Sequence, residues 1–160
     1  MTISEALRRG TRLIQSTGSD EARLEAELLM MHALKTDRTH LYSRLQDELP
    51  PRAGEYYRRL LDRRLAHEPT PYIVGRKEFF GTELEVTRST LIPRPETESL
   101  IELVINFAHE RYADDSFTAV DVGTGSGAIA IALALALPNA RIIATEVSKR
   151  AIAVARRNAE

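Results

Sequence analysis

The densest run of residues suited to chemistry is Asp121-Val122-Gly123-Thr124-Gly125-Ser126-Gly127. It lies between Phe117–Val122, which reads as a strand, and Gly127–Leu137, which reads as a helix. Glycines in that setting permit backbone angles closed to other residues and let a ligand approach the main chain. The first turn of the following helix presents unpaired N–H groups and the positive end of a dipole, which favours an anionic group. A second strand, Arg141 to Val147, carries Glu146 about twenty residues after the loop. An acidic side chain there can accept hydrogen bonds from both hydroxyls of a ribose. Asp121, Gly123, Thr124, Gly125, Ser126, Gly127 and Glu146 are therefore the candidate cofactor-binding residues.

Three readings fit this pattern. Gly123, Gly125 and Ala128 satisfy the dinucleotide fingerprint G-x-G-x-x-G/A. The run also suits S-adenosylmethionine, and it suits a glycine turn that merely joins strand to helix with Asp121 as a cap. Asp121 favours the methyl donor. A carboxylate two residues before the first glycine repels the pyrophosphate of NAD and attracts the ammonium group of S-adenosylmethionine. Two unit charges about 4 Å apart near a protein surface interact by roughly 4 kcal/mol before desolvation, enough to discriminate between ligands.

The elements that must position this loop come in two textures. Residues 1–68 carry helical patterns without a strand, and read as a small helical bundle. Thr2 and Glu5 have capping-box spacing ahead of Ile3, Leu7 and Ile14. Ala22, Ala26, Leu29, Ala33 and Leu34 share a face of a second helix. A short helix is expected near Arg38 to Leu45, and Pro50-Pro51 opens a long one carrying Ala53, Tyr57, Leu60, Leu61 and Leu65. Pro69-Thr70-Pro71 ends the bundle. Residues 69–92 read as a β-hairpin connector, with Glu83-Leu84-Glu85-Val86 alternating and Gly75 and Gly81 as turn points. Residues 93–160 read as α/β: a helix buried through Leu100, Ile101, Val104, Ile105, Ala108 and Tyr112, a turn at Asp114-Asp115-Ser116, and then strand, helix, strand, helix. Ala119-Val120 and Ile142-Ile143-Ala144 read as parallel strands covered on both faces.

Composition narrows the class. The 160 residues carry a net charge of −1, which gives no electrostatic reason to expect nucleic-acid binding. Arg58, Arg59, Arg63 and Arg64 read as a solvated helix face. There is no cysteine, so disulfides and cysteine-ligated zinc are excluded. His32, His40, His67 and His109 lack metal-ligand spacing, and no metal site is expected. The opening Met1-Thr2-Ile3-Ser4-Glu5 is not that of a signal peptide. The apolar run Ala128–Leu137 is about ten residues, too short for a bilayer. A cytoplasmic protein without a membrane partner is the expectation.

Four stretches together resemble the HemK/PrmC family: Pro71-Tyr72-Ile73-Val74-Gly75; Glu78-Phe79 with Gly81; Leu91-Ile92-Pro93-Arg94-Pro95-Glu96-Thr97-Glu98; and the loop Asp121–Gly127. The resemblance implies an α+β chain of two modules: the helical bundle, the hairpin connector, and the first half of a class I (Rossmann-like) α/β methyltransferase domain. It implies methyl transfer from S-adenosylmethionine, by in-line displacement and without a metal, to the side-chain amide nitrogen of the glutamine in the Gly-Gly-Gln motif of class 1 peptide-chain release factors. Those factors are the implied partners, and a monomer the implied state of the full-length protein. A close relative of the family methylates a ribosomal-protein glutamine, and a non-catalytic release-factor-binding module is a further alternative.

In the family an Asn-Pro-Pro-Tyr motif orients the amide. It does not occur in these 160 residues, so no catalytic residue is assigned, and the chain is expected to be an incomplete and inactive fragment. Phe79, Arg94, Pro95, Glu96 and Thr97 are candidates for the substrate pocket. Alternatively, Phe79 is hairpin core and the proline-rich run only stiffens the approach to a helix. Glu146 stands where the family more often has aspartate. Because later strands of the implied sheet are absent, both its edges are open. The helical bundle is therefore expected to be more stable than residues 117–160.

Overall fold

The computed structural model describes residues 1–113 and 115–160, and it divides into two compact units, Met1–Val74 and Gly75–Glu160.

The first unit is helical: α1 (Ile3–Gln15), α2 (Ala22–Leu34), α3 (Arg38–Ser43), α4 (Pro51–Leu65) and α5 (Thr70–Val74). The capping box opens α1. Thr2 Oγ1 accepts from the Glu5 N–H at 3.2 Å, and the Thr2 N–H donates to Glu5 Oε2 at 2.9 Å. A proline in the first turn opens α4, where its missing N–H would have had no helical partner. Ile3, Ile14, Leu29, Met30, Leu41, Leu60 and Ile73 are buried together. Gly10 lets α1 and α4 approach, since a Cβ there would fall inside the Tyr57 hydroxyl.

Charge inside this unit is paired. Glu27 is buried, with its carboxylate accepting from the Tyr42 hydroxyl at 2.5 Å and Arg23 Nε at 3.1 Å, and lying 3.1 Å from an Arg38 guanidinium nitrogen. Glu25 accepts from Arg64, Ser19 and Thr70. Burial pushes its carboxyl up, but those three hydrogen bonds outweigh burial and hold it below the ordinary range.

Within residues 69–92, read from sequence as a β-hairpin connector, Thr70–Val74 form the short helix α5. Pro71 falls in the first turn, where its missing N–H breaks no bond, and the Pro69 carbonyl accepts from the N–H groups of Tyr72 and Ile73.

The second unit begins with strands β1 (Arg76–Phe79) and β2 (Thr82–Glu85), paired antiparallel from Arg76↔Glu85 to Phe79↔Thr82. Phe80 and Gly81 both take positive φ, as a two-residue turn of this twist requires. Helix α6 (Glu96–Tyr112) follows, then β3 (Phe117–Val122), α7 (Ala128–Ala136), β4 (Ala140–Thr145) and α8 (Lys149–Asn158). Strands β3 and β4 pair in parallel from Phe117↔Ala140 to Val122↔Thr145. Of the expected turn at Asp114-Asp115-Ser116, Asp114 lies outside the described residues. Phe79, Leu84, Ile101, Ala108, Ala128, Ala132, Leu133 and Leu137 form the core.

Two burial expectations fail here. Leu100 is 49% exposed while Ile101 is fully buried, because α6 is apolar on two stripes and only one faces the core. The β3–β4 sheet is covered on one face only. Val120 and Val122 are 56% and 82% exposed, and Ile143 is exposed with them, because α7 packs against one side and nothing among the described residues covers the other.

Candidate cofactor site

The site grows from the C-terminal ends of two adjacent parallel strands, where an open α/β sheet presents its ligands. Asp121 lies near the end of β3, and Glu146 follows β4 directly. The chain then turns away at Gly123, Gly125 and Gly127, all with positive φ (82°, 59° and 87°). At Gly123 and Gly125 an added Cβ would meet nothing within 4 Å, so the backbone faces open space there. At Gly127 it would lie 3.0 Å from the Ile131 side chain and 3.4 Å from Ala155 Cβ, so this glycine lets α8 pack close to the loop.

Hydrogen bonds hold the loop in shape. The Thr124 hydroxyl donates to Asp121 Oδ2 at 2.6 Å. The Thr145 carbonyl, at the end of β4, accepts from the N–H groups of Gly123 and Thr124 at 2.9 and 3.0 Å. Glu146 spans the gap between the two strand ends. One oxygen accepts from the Ser148 N–H at 2.9 Å and the other from the Gly125 N–H at 3.0 Å. Those two backbone donors hold its carboxyl below the ordinary range. Ser148 also caps α8, its hydroxyl accepting from the Ala151 N–H at 3.2 Å.

Asp121, Thr124, Gly125 and Glu146 are thus brought together, with Gly123, Ser126 and Gly127 in the same turn. The proposed pocket residues are placed differently. Phe79 is only 2% exposed, inside the core of the second unit. Arg94, Pro95 and Glu96 are exposed and Thr97 half-buried at the head of α6, where the Arg94 carbonyl accepts from the Thr97 N–H. Glu98, one residue on, ties this head to the hairpin by accepting from the Phe80 N–H at 3.2 Å.

Asn158 escapes sequence reasoning. Its side chain donates to the Ser126 carbonyl at 2.8 Å and to the Glu85 carbonyl at 3.0 Å, and accepts from the Glu85 N–H at 2.7 Å. Nothing in its own neighbourhood signals this, because the partners are 32 and 73 residues away in sequence. Among the described residues no group of histidine, aspartate and glutamate could hold a metal ion.

Comparison with known proteins gives this geometry a family. Residues 5–75 match the PrmC N-terminal domain, and residues 113–160 match a methyltransferase domain. Both matches, and the relatives that follow, make the chain similar to the HemK/PrmC family. A protein of Moorella thermoacetica named release factor glutamine methyltransferase is 42% identical over 160 residues, covering 99% of this chain and 55% of the relative. One of the same name from Cereibacter sphaeroides is 41% identical over 159 residues, again 99% of this chain and 55% of the relative. A bifunctional methyltransferase of Rickettsia prowazekii is 36% identical over 172 aligned residues, 98% of this chain and 33% of the relative. The chain therefore spans about half the length of the release factor glutamine methyltransferases it matches. The PrmC N-terminal match coincides with the helical unit, and the methyltransferase match takes in β3, the glycine loop, β4 and α8. An α+β chain, with a helical module followed by the start of a Rossmann-like methyltransferase domain, is what the fold and the family agree on.

Proposed function

We propose that this chain supplies the substrate-recognising module and the methyl-donor site of an S-adenosylmethionine-dependent enzyme. Its target is the side-chain amide of the glutamine in the Gly-Gly-Gln motif of class 1 release factors. The observation that carries the reading is the Asp121 carboxylate at the end of β3, beside a glycine turn open at Gly123 and Gly125, with Glu146 at the end of the neighbouring strand. The names of the two relatives above support the substrate. Release factors work in the cytoplasm, and no helix among the described residues is long and apolar enough to cross a membrane.

The residues fit the donor. Asp121 offers a negative charge to its ammonium group, and the Thr124 hydroxyl fixes which way that carboxylate points. Glu146 uses one acceptor position on each oxygen for backbone N–H groups, and a carboxylate has about four, so two remain for ribose hydroxyls. Bound there, the cofactor would supply an electrophilic methyl group on a sulfonium. The acceptor amide is a weak nucleophile, because its lone pair is delocalised, and it must be held in line. No Asn-Pro-Pro-Tyr lies in these residues to hold it. These 160 residues alone therefore bind donor without turning it over.

Two assays test this. In equilibrium titration the chain binds S-adenosylmethionine and not NAD; an equal or greater affinity for NAD overturns the cofactor reading. Incubation with labelled donor and unmodified release factor gives no methyl transfer. Turnover comparable to a full-length relative overturns the assignment of the amide-orienting role to the absent motif.

A further inference from the structure

We propose that Asn158 is a positioning residue for the glycine loop, and that through it the β1–β2 hairpin and the donor site are held as one piece. The inference deepens the reading of the loop as a methyl-donor site and rests on that reading for its functional half.

An asparagine in the last turn of a helix ordinarily serves its own helix end or faces water. Asn158 does neither. Its carboxamide makes a two-way bond with the main chain of Glu85, accepting from the N–H at 2.7 Å and donating to the carbonyl at 3.0 Å, as a neighbouring strand would. Its nitrogen has a second proton, which goes to the Ser126 carbonyl at 2.8 Å. One planar amide therefore satisfies three backbone groups on two separate elements. No other uncharged side chain of that length offers one acceptor and two donors.

Both ends of this tie matter to the site. Ser126 lies between Gly125 and Gly127, whose positive φ makes the turn, so fixing its carbonyl fixes the peptide plane in the middle of the loop. Strand β2 pairs with β1, and in the turn between them the Phe80 N–H donates to Glu98 at the head of α6. A continuous set of bonds thus runs from the Pro93–Glu98 segment, through the hairpin and Asn158, to the loop. Arg157 reinforces the hairpin half alone, with its guanidinium on both Glu85 oxygens at 2.7 and 2.8 Å. That separates two roles carried by adjacent residues: Arg157 holds only the hairpin, and Asn158 holds hairpin and loop.

The test uses three variants of the whole chain. Asn158→Ala removes all three bonds. Asn158→Asp keeps the size and the acceptor for the Glu85 N–H but loses both donors, to the Ser126 and Glu85 carbonyls. Arg157→Gln cuts the ion pair to the hairpin and leaves the loop tie intact. Without ligand, both Asn158 variants should speed amide exchange at residues 124–127 by about tenfold, the scale of one lost hydrogen bond. Exchange in α7 and β3 should stay as it was, and Arg157→Gln should leave the loop unchanged. Titration with S-adenosylmethionine should show a loss of similar size for the two Asn158 variants and none for Arg157→Gln. Unchanged loop exchange in both Asn158 variants, or exchange raised evenly across 117–160, overturns the proposal, as does an equal effect from Arg157→Gln. If the unaltered chain fails to bind the donor, the cofactor reading falls, while loop-selective exchange still decides the role of Asn158.

Discussion

In the first unit, apolar residues that face outward are isolated: Leu13, Leu24, Tyr42 and Tyr56 are 37% to 41% exposed, and Met1, at the chain's start, is 62% exposed. In the second unit they run together. Leu100, Leu103 and Phe107 make a stripe along α6 at 49%, 67% and 60%, and Val120, Val122 and Ile143 occupy one face of the sheet. The helices of the first unit bury their apolar residues around a shared core. Strands β3 and β4 of the second are hydrogen-bonded to each other and to no third strand among the described residues, so each has an edge that no strand pairs. The segment that carries the proposed donor loop is thus the one with unpaired strand edges and clustered exposed apolar residues, while the buried residues of the segment matched to the PrmC N-terminal domain share one core. Local loop geometry can be complete on an incomplete sheet, because its bonds run between neighbours: Thr124 to Asp121, Glu146 to Gly125 and Ser148.

The largest effect that could break this contrast is in the cores. Leu60→Ala, at a residue only 1% exposed, should cost the first unit about 2–5 kcal/mol in denaturant unfolding. Phe107→Ala, on the open stripe, should change stability by less than about 0.5 kcal/mol, and should weaken self-association in sedimentation. A comparable loss from Phe107→Ala would mean that its stripe is covered in solution. Next come the loop variants. Gly125→Val forces a branched side chain onto a φ of +59° and should abolish measurable donor binding. Asp121→Ala should weaken it by roughly tenfold, as expected for losing one partly exposed charge partner. Unchanged affinity in both would reduce the loop to a structural turn.

The smallest effect is pH dependence. The Glu25 and Glu146 carboxyls are held below their ordinary values. Their contributions are therefore fully present above the ordinary carboxylate range and are lost as pH falls through the folded value. Glu25→Gln should flatten the acid limb of the first unit's stability curve. Glu146→Gln should flatten any acid loss of loop protection, without altering the first unit. An acid limb as steep in Glu25→Gln as in the unaltered chain would show that Arg64, Ser19 and Thr70 do not stabilise its charged form.

Much of this was legible where the determinants are local. The Thr2–Glu5 capping box, the proline start of α4, the alternation of Glu83–Val86 and the glycine loop each announce themselves within a few residues. What was lost depends on tertiary choice. Helix α6 has apolar residues on two sides, so nothing local ranks Ile101 above Leu100. Pro69-Thr70-Pro71 looks like a stop, yet it opens a short helix because a proline N–H is dispensable in the first turn. Val120 and Ile143 have the composition of doubly covered strands, and a sequence cannot say whether the second cover is there. Asn158 needed the hairpin and the loop to be folded beside it before its amide had a function to show.

Amide exchange resolved along the chain, in dilute solution with and without S-adenosylmethionine, tests the central claim most directly. Residues 22–34 and 53–65 should be the most protected, and residues 117–160 should exchange faster. Adding the donor should slow exchange at 121–127 and 146–148 and leave the first unit unchanged; adding NAD should alter neither region. Equal protection of both units, or no response of the loop to the donor, would contradict the account of a closed helical module joined to a donor site on an open sheet.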